Sequence, residues 1–211
     1  MGIITSGILG GFSGKVGPVV GGSWKGISYM RQLPASVANP QTAAQTAQRN
    51  KLGNCVAFAK EILTTVIKPL NDRFAQGESG YNSFVSRNIA LFTAAAPSTP
   101  SDLSLSEGSL LPSQMNTPGV PDGDTTVTFQ CADESGTGNA QATDDRYIVV
   151  YNETQGTFGI SSAAAQRDDT NPTVELSADA ASGDDVHAWM SMRSANGFAV
   201  STTVYSAVDV T

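Results

Sequence analysis

A chain of 211 residues with 40% hydrophobic residues and 21 glycines is long enough for one large or two small domains, and suits turn-rich β structure. It holds no apolar run of about 18 residues, so no transmembrane helix is expected. Its two cysteines, Cys55 and Cys131, stand too far apart for a metal motif or a disulfide framework. They are expected as buried, reduced thiols, as in a reducing compartment.

The net charge of −7 is unevenly divided. Residues 1–100 hold nine Lys and Arg against three Asp and Glu, whereas residues 101–211 hold three Arg against sixteen acids. An asymmetry of this size predicts two modules, 1–100 and 101–211. A basic half suits nucleic acid or an anionic surface, or else the acidic half of another copy.

The first 34 residues are β-like. Glycines interrupt every apolar run and the first cation is Lys15, so no secretory leader is expected. Gly10-Gly11-Phe12-Ser13-Gly14-Lys15 lacks the Walker spacing and no βαβ unit follows, so it is not read as a phosphate loop. Lys15–Val20 and Trp24–Arg31 flank Gly21-Gly22-Ser23, which predicts a hairpin turn at those glycines. Alternation then puts Trp24, Gly26, Ser28 and Met30 on one face and Lys25, Ile27, Tyr29 and Arg31 on the other. A short ribbon is marginal alone in water and needs a partner. Clustered Trp, Tyr and Arg suit a protein interface. The candidate interface residues are Lys15, Trp24, Lys25, Tyr29 and Arg31, with Arg49 from the helix that follows.

Asn39-Pro40 predicts a helix start, Asn as cap and Pro at the first turn. Ala44, Ala47, Leu52, Val56, Ala59, Leu63, Val66 and Leu70 recur at helical spacing up to Pro69-Leu70-Asn71. Gly53 weakens that helix modestly. A second helix is expected from Tyr81 to Thr93, with Phe84, Val85, Asn88, Ile89 and Phe92 facing inward. The two form a helical hairpin, and Pro97 to Pro100 mark the boundary.

From Leu103 the period changes to two. Strands are expected at Leu103–Ser106, Thr126–Cys131, Arg146–Tyr151, Thr157–Ala165, Thr173–Leu176, Asp185–Arg193 and Phe198–Tyr205. Turn residues separate them, and Asn196-Gly197 is the clearest hairpin turn. About seven short strands in about 105 residues is the pattern of an immunoglobulin or fibronectin type III-like sandwich. The expected fold class is therefore α+β: a β-ribbon and helical hairpin followed by a β-sandwich.

No catalytic set is visible. The single histidine, His187, shares a strand face with Trp189 and lacks a nucleophile motif. The stretch Asp133–Asn139 with Asp144-Asp145 departs from EF-hand spacing and reads as a solvated acidic loop rather than a Ca²⁺ site. Asp168-Asp169 and Asp184-Asp185 read as exposed loop charges. No cofactor or metal is expected.

The opening segment from Gly7 to Gly21, with Trp24-Lys25-Gly26 and Tyr29-Met30-Arg31, resembles a domain-of-unknown-function family common in Bacteroidota. Asn39-Pro40, Thr42, Gln45, Gln48 and Arg49 match its next block. Ser135–Ala140, Tyr147–Tyr151 and Val186–Ser201 with Tyr205 resemble its carboxy-terminal β domain. The ribbon and Asn-Pro-x-Thr-x-x-Gln-x-x-x-Arg arrangement is also similar to small proteins from phage and prophage structural regions.

The resemblance implies a non-enzymatic structural protein of a phage or phage-like particle, made in the bacterial cytoplasm. It would assemble with itself and other particle proteins, away from membranes, and project its acidic domain outward. Two alternatives stay open. One is a glycan- or protein-binding surface module carried by the β domain. The other, less favoured, is nucleic-acid binding by the basic half.

Overall fold

A computed structural model describes residues 3–4, 10–36, 39, 41–93, 97–161 and 165–211. Gly7 and Pro40, both singled out in the sequence, lie outside the described residues. The chain divides into two compact units, residues 1–42 and residues 43–211.

The first unit is an antiparallel four-stranded meander of β1 (Ile3–Ile4), β2 (Phe12–Val16), β3 (Val19–Trp24) and β4 (Ile27–Gln32). Its hairpin turns fall at Gly17-Pro18 and Lys25-Gly26, since Val16 pairs with Val19 and Trp24 with Ile27. The turn expected at Gly21-Gly22-Ser23 is absent, because those residues form the middle of β3. Lys25 and Gly26 both take positive φ, 47° and 82°. That is the mirror-image two-residue turn whose twist matches the strands it joins.

The second unit begins with helix α1 (Ala43–Glu61), which runs through a π-helical turn (Leu63–Ile67) into α2 (Lys68–Asn71). α1 starts four residues after Asn39. Its first turns, with Ala44 and Ala47, are exposed, and so is Leu52. The buried stripe is Cys55, Phe58, Ala59, Ile62, Val66, Ile67 and Leu70. Helix α3 (Gly80–Asn88) is capped by Ser79, whose Oγ accepts from the Asn82 N–H at 3.2 Å. Its Phe84 and Asn88 are buried, and a 3₁₀ turn carries the chain to buried Phe92.

Eight strands follow: β5 (Gly119–Val120), β6 (Asp124–Thr128), β7 (Asp145–Asn152), β8 (Thr157–Ile160), β9 (Ala165–Gln166), β10 (Thr173–Ala180), β11 (Val186–Arg193) and β12 (Val204–Val210). Their order is β11-β12-β5-β6-β10-β8-β7, and β11 pairs back onto β7. This closes a seven-strand barrel, with the short β9 extending the β8 side of β7. The expected immunoglobulin-like sandwich is therefore incorrect. Two contacts close the ring: the β7–β11 pairing and a parallel pairing of β12 with β5. The two edges that an open sandwich leaves apart are joined here, since β5 pairs with both β12 and β6 and β8 with both β7 and β10.

The barrel interior holds Val127, Phe129, Ile148, Val150, Val174, Leu176, Ala188 and Met190. The opposite face of β7 and β11 is also dry. Tyr147, Val149 and Trp189 pack there with Phe58, Ile62, Phe84 and Phe92 from the helices. The helices are thus a layer on the barrel rather than a free-standing hairpin, and the expected boundary near residue 100 runs through a shared core. Among the described residues, no helix is long and apolar enough to cross a membrane.

Leu103–Ser106 is not a strand, although its leucines are buried. Its backbone groups bond to side chains instead. Asn88 donates to the Ser104 carbonyl and accepts from the Ser104 N–H, and Asn71 donates to the Leu105 carbonyl. Thr203 Oγ1 accepts from the Leu105 N–H at 2.7 Å. Alternating hydrophobicity here serves a segment laced into the seam between helices and barrel. Phe198–Val200 likewise makes only an isolated bridge to Arg193 across the Asn196-Gly197 turn. The strand that pairs with β11 comes later, as β12.

Phe58 holds the layers together. Its ring lies edge-on to Phe92, Tyr151, Phe158 and Trp189, at centroid distances of 5.7, 5.5, 5.1 and 5.9 Å. Phe58→Ala is expected to destabilise the second unit by about 3–5 kcal/mol through lost burial and the residual cavity. Urea unfolding followed by far-UV circular dichroism checks this.

Candidate functional site

The register of β2, β3 and β4 decides which side chains share a face. Lys15 stands opposite Val20 and Val20 opposite Arg31, while Gly22 faces Tyr29 and Trp24 faces Ile27. Cross-strand partners point the same way. One face therefore carries Lys15, Val20, Arg31, Gly22, Tyr29, Trp24 and Ile27. This corrects the expected split, which separated Trp24 from Ile27 and Tyr29. The two-residue turn at Lys25-Gly26 puts them together.

Two glycines make that sheet possible. A Cβ on Gly22 would stand 2.9 Å from the Tyr29 hydroxyl, so the phenol lies flat across bare backbone. A Cβ on Gly21 would overlap the Phe12 carbonyl and ring on the other face. The unit's apolar contacts are thus rings laid on glycine rather than side chains interlocked in a core. Gly21 is its one fully buried residue among those described.

The outcome is an exposed aromatic and basic surface. All six residues of β4 are exposed. Trp24 is 68%, Ile27 70% and Met30 71% accessible. The Lys25 ammonium sits 5.7 Å from the Trp24 ring centroid, within cation–π range. Residues 1–42 contain Lys15, Lys25 and Arg31 and no acidic residue. Of the six proposed interface residues, five lie on this unit, and Arg49 lies on the exposed first half of α1 in the other.

The remaining polar clusters are structural. Arg167 is fully buried: its Nε meets Asp144 Oδ2 at 3.2 Å, one terminal nitrogen meets Glu134 at 3.5 Å, and the other donates to the Leu111 carbonyl. Asp144 is buried with it, so the loop read as solvated is in part a buried ion pair. Arg146, on the inner barrel face with Ile148 and Val150, donates to the carbonyls of Asp169 and Arg167. Burial holds the Arg146 guanidinium below its usual pKa. Nothing in the sequence spacing marked these arginines as buried.

His187 lies 3.0 Å from the Tyr205 hydroxyl through Nδ1 and 3.2 Å from Glu153 Oε2 through Nε2. Burial, with Glu153 adding, pushes the Tyr205 phenol upward. Burial pushes the Cys55 thiol up to about 11, so it is a poor nucleophile. Among the described residues, no group of three or more His, Cys, Asp or Glu is placed to hold a metal ion. A cleft of about 620 Å³ lies where α1 meets β8, with Asn54, Glu61, Tyr151 and Phe158 along it. It follows the Phe58 seam and holds no cation to set against Glu61.

Residues 11–207 match a family described as a family of unknown function (DUF6266). The chain belongs to that family. No curated protein and no solved structure matches it. The family match spans β2 to β4, the helices and nearly all of the barrel.

Asp184 organises the loop between β10 and β11. Its Oδ2 accepts from the Ala181 N–H at 3.0 Å and from Asn152 and Gln155 at 2.7 Å each. The Ala181 bond, then the Asn152 bond, holds its carboxyl below the usual range. Its contribution to stability is therefore present above the unfolded value of about 3.9 and is lost as pH falls through the lower folded pKa. Asp184→Asn is expected to flatten that part of the acid limb. Thermal midpoints of both proteins between about pH 2 and 5 check it.

For the ribbon, Gly21→Ala is expected to cost about 1–3 kcal/mol, because backbone and an aromatic ring must move. Gly22→Ala costs less, since the Tyr29 tip can swing aside. Hydrogen exchange of the β2–β4 amides distinguishes the two.

Proposed function

We propose that this protein is a non-enzymatic structural subunit of a phage or phage-like particle, assembling through its N-terminal sheet and the exposed start of α1, with the acidic barrel projecting from the assembly. The observation that carries this reading is the sheet's exposed aromatic face. A small sheet that buries one glycine and exposes Trp24, Ile27 and Tyr29 on this face, and Met30 on the other, lacks the burial that normally sustains one. Covering the three on this face is worth about 1.5–3 kcal/mol for each one fully buried. An aromatic centre with cations around it has the composition of an interface core and rim.

The likeness of the opening segment to Bacteroidota proteins and to phage structural-region proteins supports the particle setting. The buried arginine network and the raised Cys55 thiol pKa are consistent with a scaffold, since neither offers a reactive group to solvent.

Purified full-length protein is expected to elute as a multimer by size-exclusion chromatography with light scattering, and to form regular assemblies by electron microscopy. Trp24→Ala with Tyr29→Ala is expected to shift it toward monomer with an unchanged barrel spectrum. A stable monomer at high concentration, with no particle association in the source lysate, would sink the reading.

A further inference from the structure

We propose that the exposed face of the N-terminal sheet docks on a second copy of this chain, at one end of that copy's barrel, so that copies join head to tail. This rests on the assembly reading above and adds the partner and the polarity.

The two barrel ends differ in charge. At one end lie the segments 118–124, 152–156, 179–186 and 209–211, brought together by the strand order. They carry Asp122, Asp124, Glu153, Asp179, Asp184, Asp185 and Asp209, and no lysine or arginine. The other end also carries exposed Asp133, Asp168 and Asp169, but there Glu134, Asp144 and Asp145 meet Arg167 and Arg193. The uncompensated end is also firmly built. Asp184 ties Asn152, Gln155 and Ala181 together, and Asp122 accepts from the Ser182 N–H at 2.9 Å. Backbone N–H groups of Thr126 and Thr125 hold the Asp124 carboxyl below its usual range, so the charge persists well into acid. Asp122, Asp179, Asp185 and Asp209 are exposed around it, with exposed Pro121 and Ala181 between.

The sheet face is the complement. Lys15, Val20 and Arg31 form one cross-strand row, and Lys25 stands at the tip beside Trp24. Strands lie about 4.8 Å apart, so Lys15 and Arg31 are about 10 Å apart across the row, with apolar surface between them. The unit has no carboxylate of its own. Two such faces meeting each other would set cations against cations, which disfavours a two-fold sheet-to-sheet contact. A single contact between unlike surfaces leaves one of each free on every copy, so it either propagates into a ring or filament or closes reciprocally between two copies, and sedimentation separates the two by size.

The test uses full-length protein in sedimentation velocity, with Lys15→Glu/Arg31→Glu as one variant and Asp179→Lys/Asp185→Lys as the other. Lys15→Glu/Arg31→Glu is expected to lose self-association by more than about 100-fold, because an acidic face meets the acidic end, and Asp179→Lys/Asp185→Lys to weaken it by more than about 10-fold, because two of the seven carboxylates there become cations. Mixed in equal amounts, they are expected to co-assemble. Rising salt is expected to weaken the wild-type assembly, a readout that needs no variant.

A wild-type protein that stays monomeric overturns both this inference and the assembly reading. A wild-type multimer that persists in the Asp179→Lys/Asp185→Lys variant, or that is indifferent to salt, overturns the head-to-tail contact and leaves assembly standing. Monomers that instead collect on DNA at low salt identify nucleic acid as the occupant and overturn it as well.

Discussion

The second unit depends on the pairing of β7 with β11. Eight residue pairs run in register from Val186–Asn152 to Arg193–Asp145, and both faces of the pair are dry. On the inner face Ile148, Val150, Ala188 and Met190 fill the barrel, and on the outer face Tyr147, Val149 and Trp189 receive the helices. Trp189 also donates its indole N–H to the Pro100 carbonyl at 2.7 Å, fixing the chain where it passes from the helices toward the barrel. A strand pair covered on both sides cannot shift register by one residue without exchanging its two apolar faces, which differ in shape. Barrel closure and helix docking are thus set by the same sixteen residues.

That constraint also explains what was legible in the sequence. The run Tyr147-Ile148-Val149-Val150-Tyr151 read correctly as a strand, as did the stretch ending at Arg193, because an apolar strand leaves a strong local signature. Closure was not legible. A sandwich and a barrel of similar strand number show the same alternation, and the contacts that distinguish them join residues far apart, as in the parallel pairing of Val120 with Val210. One signal was there to use. The outer strands of an open sandwich alternate apolar with polar, whereas Tyr147–Tyr151 is apolar at every position and so needs cover on both faces. That cover is the helix layer, which charge and the Pro97–Pro100 segment had assigned to a different module.

The ribbon shows the opposite limit. Its β character and its aromatic, basic surface followed from composition, yet its turns and faces did not. Gly-Gly is a strong hairpin signal, but here Gly21 and Gly22 make room for the Phe12 and Tyr29 rings. The turn falls to Lys25-Gly26, where a lysine accepts a left-handed backbone. Local propensity yielded to ring packing, and the cost at Lys25 is offset in part by its place over Trp24.

The charge division also takes on a different meaning. The basic half contains two kinds of cation. Three of those in the helix layer are used within the second unit: Lys51 donates to the Ala90 carbonyl, Arg87 to Asn71, and Arg73 covers the Phe198 ring at 3.7 Å. Among the described residues, the recorded ion pairs of the barrel acids draw only on Arg167, Arg193 and His187, all within the β region. The helices therefore leave the far end of the barrel acidic. The ribbon cations sit on a face with no acid of its own. The chain thus carries a basic ribbon face and an acid-rich barrel end, surfaces that complement each other rather than themselves.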